Sequence, residues 1–264
     1  MLGAIIGDIV GSIYEFRNLR SKQFELFGPR TDFTDDSVCT IAVADALLSG
    51  RDPAKALRDW CSRYPDRGYG GLFAAWVRNP RVGPYQSFGN GSAMRVSPAG
   101  LLGTTVESAI ELADRVSDVT HNHPEGMKGA RATAVAIVLA RGGASPAKIR
   151  DEISLRFGYD LSRSVDEIRP GYRFNETCQH TVPEALTCAF EATDFEDALR
   201  NAVSIGGDSD TIAAIAGAVA EASFGIPNAI ARKGLSYLPE EMAAVLMELY
   251  VAAGASSIGL RAPS

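Results

Sequence analysis

The stretch Ser204-Ile-Gly-Gly-Asp-Ser-Asp-Thr-Ile-Ala-Ala-Ile-Ala-Gly, residues 204–217, sets two carboxylates, Asp208 and Asp210, one residue apart on a glycine-rich turn. Thr211 follows, and then Ile212, Ile215, Ala216 and Val219 recur at helical spacing. The spacing predicts a buried helix that begins in a cluster of oxygen donors. Asp, Ser and Thr are good N-caps, because their oxygens accept the orphan N–H groups of a first helical turn. Capping alone would therefore account for one such motif.

The chain does something similar near its other end. Phe33-Thr34-Asp35-Asp36-Ser37 precedes Val38, Ile41, Ala42 and Leu48 on one helical face. Adjacent carboxylates repel, and a helix N-terminus offsets only ~0.3–1 kcal/mol of that. If the two clusters meet in space, Asp35, Asp36, Asp208 and Asp210 bring four carboxylates together with the hydroxyls of Thr34 and Thr211. Such a set calls for cations. All-oxygen ligands select hard ions such as Mg²⁺, Mn²⁺ or Ca²⁺ over zinc or copper.

At 264 residues, with 46% hydrophobic and 22% charged residues, the composition is that of an ordinary globular protein. A net charge of −6 argues against broad, phosphate-driven binding of nucleic acid. The four cysteines, at 39, 61, 178 and 188, form no C-x-x-C pair and no dense disulfide framework, which fits a reducing cytosol. The N-terminal apolar run lacks a basic segment and is broken by Asp8, so it does not read as a signal peptide. No stretch approaches the ~18 apolar residues of a membrane span. A cytoplasmic protein is expected.

Residues 2–16 carry Leu2, Ile5, Ile6, Ile9, Val10 and Ile13 at helical spacing, predicting a helix that ends at Tyr14-Glu15-Phe16. Residues 17–33 read as a loop around Gly28-Pro29. Further helices are expected at 53–64, 92–102, 104–117, 125–141, 146–157, 182–192, 194–203, 211–224, 227–235 and 239–253, with a frayed tail at 254–264. The aperiodic segment 158–180 reads as a surface excursion or lid. No alternating Val/Thr-rich strands stand out. The expectation is one all-α domain over residues 1–264, with about ten to twelve helices and no internal repeat.

Three loops carry further signals. In Arg67-Gly68-Tyr69-Gly70-Gly71 the glycines permit close backbone approach to a ligand, or a plain connecting turn. Between Pro84 and Arg95, Gly89-Asn90-Gly91 leads into Ser92 as N-cap of the 92–102 helix. Free N–H groups at such a start can hold a phosphate or diphosphate, and Phe88 beside them can stack on a base. Thr120-His121-Asn122-His123 invites a zinc reading, yet no third His or Cys stands nearby to complete a site. A structural or ligand-contacting histidine is the better expectation.

From Gly3-Ala-Ile-Ile-Gly-Asp to Gly206-Gly-Asp-Ser-Asp-Thr, and on to about residue 225, the chain resembles the ADP-ribosylglycohydrolases. The ordered pair Phe-Thr-Asp-Asp and Gly-Gly-Asp-x-Asp-Thr is specific to that family. The resemblance implies an all-α fold holding two divalent cations, Mg²⁺ or Mn²⁺, on Thr34, Asp35, Asp36, Asp208, Asp210 and Thr211. It implies that Glu15 is a mobile glutamate beside the metals, with Glu15, Asp35 and Asp210 as acid–base candidates. By the same similarity, Gly68, Tyr69, Gly70 and Gly71 belong to the ADP-ribose loops and Phe88 stacks on adenine. Ser87, Gly89 and Asn90 would face the diphosphate, and His121 the ribose-phosphate side. Arginine-directed members use an additional aspartate, for which Asp66 is the best local candidate. The implied activity is metal-dependent hydrolysis of the bond between ADP-ribose and an acceptor on a modified protein or small conjugate. The alternatives are a two-metal hydrolase of another ADP-ribose conjugate or a phosphoester, and a relative that binds ADP-ribose without cleaving it.

Overall fold

Helix α1 (Leu2–Gly11) carries glycine at every fourth position, Gly3, Gly7 and Gly11, and every one of its residues is buried. The glycine edge lies against helix α13 (Ser209–Phe224) with backbone touching backbone. A Cβ on Gly3 would fall 2.3 Å from the Gly217 carbonyl oxygen, one on Gly7 2.0 Å from that of Ala213, and one on Gly11 2.4 Å from that of Ser209. No side chain fits there. Leu2, Ile5, Ile6, Ile9 and Val10 fill the rest of the helix surface and are fully buried, as expected of a helix apolar all round.

The computed structural model describes residues 1–254. Around the α1–α13 pair stand α2 (Asp35–Ser49), α11 (Cys178–Phe190), α12 (Phe195–Ser204) and α14 (Asn228–Leu235), all packed on one or both of them. Helices α5 (Gly91–Met94) and α8 (Pro124–Arg141) also pack on α13. Farther out stand α3 (Pro53–Arg63), α4 (Gly71–Arg78), α6 (Ser97–Leu102), α7 (Val106–Ser117), α9 (Pro146–Phe157), α10 (Val165–Ile168) and α15 (Glu240–Ala252). One hydrophobic core runs through them. Among the described residues there is no strand, only an isolated bridge between Gly89 and Thr177. No helix there is long and apolar enough to cross a membrane.

The all-α expectation holds, with four local corrections. The first helix stops at Gly11, so Glu15 stands on a following turn and not at a helix end. The expected helix 92–102 is two short helices, α5 and α6, with Pro98 in the first turn of the second; Asn90 precedes α5, and the Ser92 hydroxyl donates to the Gly126 carbonyl at 2.7 Å instead of capping. Helix α4 follows the Gly68–Gly71 loop, where no helix is expected from periodicity. Segment 158–180 is no solvated excursion: Tyr159, Leu161, Ile168 and Tyr172 are buried, α10 lies within it, and α11 starts there at Cys178. Among the described residues, fifteen helices therefore replace the expected ten to twelve. The tail expected to fray, 254–264, lies outside the described residues beyond Gly254.

The loop at 17–33 also does more than connect. The Arg20 guanidinium donates to the carbonyls of Arg169 at 2.8 Å and Tyr172 at 2.6 Å, and to that of Ile205. The Asn18 side chain accepts the Gly207 N–H. Together they brace the Gly206-Gly207 turn, where both φ values are positive, +68° and +80°, a conformation open mainly to glycine.

In an exposed helix, Gly→Ala gains about 1 kcal/mol of helix propensity. At Gly7 the added methyl meets backbone that no rotamer change can move, and overpacking of this kind costs about 1–3 kcal/mol or more. We expect Gly7→Ala to lose about 2 kcal/mol in urea unfolding, whereas Gly171→Ala, with nothing within 4 Å of its added Cβ, stays within about 0.5 kcal/mol of wild type. A neutral or stabilising Gly7→Ala would mean that α1 and α13 do not meet so closely.

Candidate functional site

The α1–α13 contact carries two acidic loops toward each other. Asp208 and Asp210 lie at the start of α13, Asp35 and Asp36 at the start of α2, and all four line one cavity of about 530 Å³. That volume suits a small-molecule ligand. The Thr211 hydroxyl donates to Asp36 Oδ1 at 3.4 Å, directly linking segments 175 residues apart. Oxygen atoms of Glu15, Asp208 and Asp210 all lie within 4.8 Å of one another.

Thr34 is the N-cap of α2, accepting the Asp36 N–H at 3.3 Å. It stands behind the cavity wall, held by a residue that sequence reasoning missed. Asp8, fully buried in α1, accepts the Thr34 N–H at 2.9 Å and the Thr34 hydroxyl at 2.7 Å. It also accepts the Ser37 N–H at 3.1 Å and the Ser37 hydroxyl. Four donors converge on one carboxylate, which fixes the start of α2 against α1. The available signal was a lone acid inside an otherwise apolar helical run.

The cavity has a second wall. Asn90 donates its side-chain N–H to Asp208 Oδ2 at 2.6 Å and to the Thr181 hydroxyl at 3.2 Å. Its backbone N–H donates to the Glu176 carbonyl at 2.7 Å, beside the Gly89–Thr177 bridge. Ser87, Phe88, Gly89, Gly91 and His121 line this side, and Phe88 is 45% exposed with its ring 5.3 Å from that of His123. Gly68, Gly70 and Gly71 line the rim. The Asp35 N–H donates to the Arg67 carbonyl at 2.8 Å, tying that rim to the acidic cluster.

Two expectations need correcting. Tyr69 turns away from the cavity: its hydroxyl donates to the Tyr64 carbonyl at 2.8 Å and its ring packs 5.9 Å from Phe73. Asp66 is exposed and does not line the cavity. His123, by contrast, is the structural histidine expected: it is the N-cap of α8, its Nδ1 accepting the Glu125 N–H at 3.1 Å.

Electrostatically, the acidic end is costly. Burial first, then mutual repulsion, pushes the carboxyls of Asp35, Asp36 and Asp210 well above the usual range. Burial raises Asp8 and Asp208 to about 6 each. Glu15 is pushed up to about 8, by burial and then by Asp210, Glu176 and Asp8. Asp36 Oδ2 is buried without any hydrogen-bond partner. An orphaned carboxylate oxygen among like charges is what a bound cation would satisfy. The donor set, carboxylates and hydroxyls without thiolate or imidazole, suits a hard divalent cation.

This geometry has relatives. The sequence model of the ADP-ribosylglycohydrolase family matches residues 1–256, and the chain belongs to that family. It is 26% identical to the ADP-ribosylhydrolase ARH3 of Mus musculus, over 86% of this chain and 83% of that one. It is 28% identical to the ADP-ribosylarginine hydrolase Tri1 of Pseudomonas putida, over 86% and 70%. A solved structure described as an ADP-ribosylglycohydrolase-related protein complex superposes with a TM-score of 0.70 at 27% identity, covering 96% of this chain and 97% of that one.

An acid whose folded pKa is raised stabilises the fold below its ordinary pKa and loses that contribution as pH climbs through the folded value. With Asp8 and Asp208 at about 6 and Glu15 at about 8, the window runs from roughly pH 4 to pH 8. We therefore expect the Tm of the protein in EDTA to fall across that window by at least about 3 °C, the shift that ~1 kcal/mol produces in a chain of this size. A Tm that rises over the same range would show the cluster to be compensated within the protein.

Proposed function

We propose that this protein is a metal-dependent hydrolase that cleaves the glycosidic bond between ADP-ribose and an acceptor, on a protein side chain or a small conjugate. The observation that carries the reading is the convergence of the Thr34-Asp35-Asp36 and Asp208-Ser209-Asp210-Thr211 starts on one cavity. Membership of the ADP-ribosylglycohydrolase family supports the same conclusion. The names of the mouse and Pseudomonas relatives agree with it, and the latter makes arginine-linked ADP-ribose the first acceptor to try.

In this reading Asp35, Asp36, Asp208, Asp210 and the Thr211 hydroxyl hold two divalent cations, Mg²⁺ or Mn²⁺, while Thr34, tied to Asp8 behind the wall, fixes the start of α2. When bound, these supply positive charge that orients the distal ribose hydroxyls and favours charge separation as the glycosidic bond breaks. The remaining work falls to side chains. Phe88, exposed at the far rim, offers a face for adenine. Ser87, Gly89 and Asn90 bound the diphosphate, and His121 closes that wall. Glu15 faces the acidic end from its turn and acts as the proton carrier. It takes a proton from the water that attacks C1″ of the ribose. The new C1″–O bond forms as the bond to the acceptor atom breaks, and that atom leaves with the proton. Charge at C1″ is oxocarbenium-like at the crossing, as in other glycoside cleavages. The buried, unpaired thiols of the four cysteines are consistent with work in a reducing cytoplasm.

The decisive experiment is chromatographic detection of free ADP-ribose released from arginine-linked and serine-linked substrates, with Mg²⁺, with Mn²⁺ and with EDTA. We expect cation-dependent release from at least one. AMP or inorganic phosphate as the product would move the reading to a phosphoester hydrolase. Binding of ADP-ribose without any release would leave a binding protein.

Two substitutions sharpen the roles. Glu15→Gln should lower kcat by about 10²–10⁴-fold, the span of a general acid–base contribution, while the affinity for ADP-ribose changes little. Phe88→Ala should instead weaken ADP-ribose binding by the ~1–3 kcal/mol that one base–aromatic stack supplies. The reverse pattern would exchange the two assignments.

A further inference from the structure

Arg95 is the largest charged side chain wholly inside the protein, 1% exposed, and it borders the cavity. Among the described residues no carboxylate pairs with it. Its Nη2 donates to the Thr120 hydroxyl at 2.6 Å and to the Val116 carbonyl at 3.4 Å, its guanidinium stands 5.7 Å from the Phe73 ring centre, and its Nε has no partner. A buried cation without a counter-ion is expensive, so such a group calls for an explanation.

The contact that follows supplies one. The Thr120 hydroxyl, fully buried, also lies 2.7 Å from His121 Nδ1. Guanidinium can only donate, so the Thr120 oxygen accepts from Arg95. The hydroxyl has one hydrogen, and among the described residues its one remaining partner is His121 Nδ1. For that buried hydrogen to find an acceptor, Nδ1 must accept it, which puts the imidazole proton on Nε2. Nε2 faces the ligand-side loop: a Cβ on Gly91 would lie 3.2 Å from it, and one on Gly89 3.7 Å. The ionisable groups facing the ring are Arg95 and the Tyr85 phenol, whose ring centre is 6.3 Å away. His121 is 4% exposed, and burial, then the Arg95 charge, holds it well below its usual pKa and so neutral.

We propose that Arg95 and Thr120 are positioning residues that lock His121 in the neutral Nε2–H tautomer, making it a fixed hydrogen-bond donor to the anionic part of the ligand. This rests on the reading of the cavity as an ADP-ribose site, but the tautomer itself can be tested without any ligand. Arg95 also adds a positive charge to the cavity lining beside His121.

The first arm of the test is long-range ¹H–¹⁵N NMR of the imidazoles, with His121→Gln to assign the signal. Wild type should show His121 as the Nε2–H tautomer, unchanged from pH 5 to pH 8. The second arm is calorimetric titration with ADP-ribose of wild type, Thr120→Val and Thr120→Ser, with Mn²⁺ binding measured separately on each. Thr120→Val should release the tautomer and weaken ADP-ribose about tenfold, within the range of one lost buried hydrogen bond. Thr120→Ser should restore both, and Mn²⁺ affinity should be the same in all three. A cationic or Nδ1–H His121 in wild type overturns the proposal, and so does a Thr120→Val variant that keeps tautomer and affinity. If Thr120→Val does not fold, the wild-type tautomer still decides. If wild type binds no ADP-ribose while the tautomer is as stated, the ligand reading fails and the positioning relation stands.

Discussion

The close approach of α1 and α13 is the constraint on which the site depends. Three glycines four residues apart remove the side chains from one edge of α1, so its backbone touches that of α13 at Gly217, Ala213 and Ser209. The contact ends where α13 begins, and that is where Asp208 and Asp210 stand. One turn before the end of α1, Asp8 reaches sideways and takes four hydrogen bonds from Thr34 and Ser37. A single helix thereby registers both acidic helix starts against itself. Had α1 carried alanines, it would stand off by the width of the added methyls, and α2 and α13 would lose their common reference.

The fold assembles this cluster against an electrostatic penalty. Helix dipoles at the α2 and α13 starts favour anions by ~0.3–1 kcal/mol each at exposed sites, which is small beside the cost of burying several like charges. Protonation is one release, which is why every carboxyl in the cluster titrates high. A cation is the other, and it acts without giving up the carboxylate oxygens as ligands. The same carboxyls would therefore couple metal binding to stability, since any ion that binds only the folded chain stabilises it by mass action.

Much of this was legible in the sequence, and the gaps have physical reasons. The paired motifs at 33–37 and 204–211 could be read as hard-cation ligands because acid and hydroxyl spacing at a helix start constrains chemistry. That they meet could not be read from spacing, because nothing local encodes a contact across 175 residues. Helix existence followed from apolar periodicity over long segments such as 125–141. It fails at 92–102, where Pro98 restarts the helix, and at 71–78, where an eight-residue helix after a Gly-rich loop is too short to show a period although Phe73 and Trp76 are buried. Tyr69 and Asp66 were placed by proximity to that loop, and side-chain direction is what a loop sequence does not carry. Asp8 was legible only as an interruption of apolar residues, and Arg95 not at all, since a basic residue at a helix boundary usually reads as solvated.

The placement of the acids separates rigid ligands from a freer group. Asp35, Asp36, Asp208 and Asp210 are each fixed by a helix start, and Asp208 is further held by Asn90. Glu15 alone stands on the turn after α1, outside any helix and partly exposed, with Phe16 beside it 79% exposed and stacked on Phe174 at 5.8 Å. Cation ligands need a constant geometry, whereas a proton carrier must serve both an incoming water and a departing acceptor. In the proposed function the chain would meet these demands by covalent placement: the first four acids are committed to helix geometry, and the fifth hangs from the end of α1 on a few turn residues.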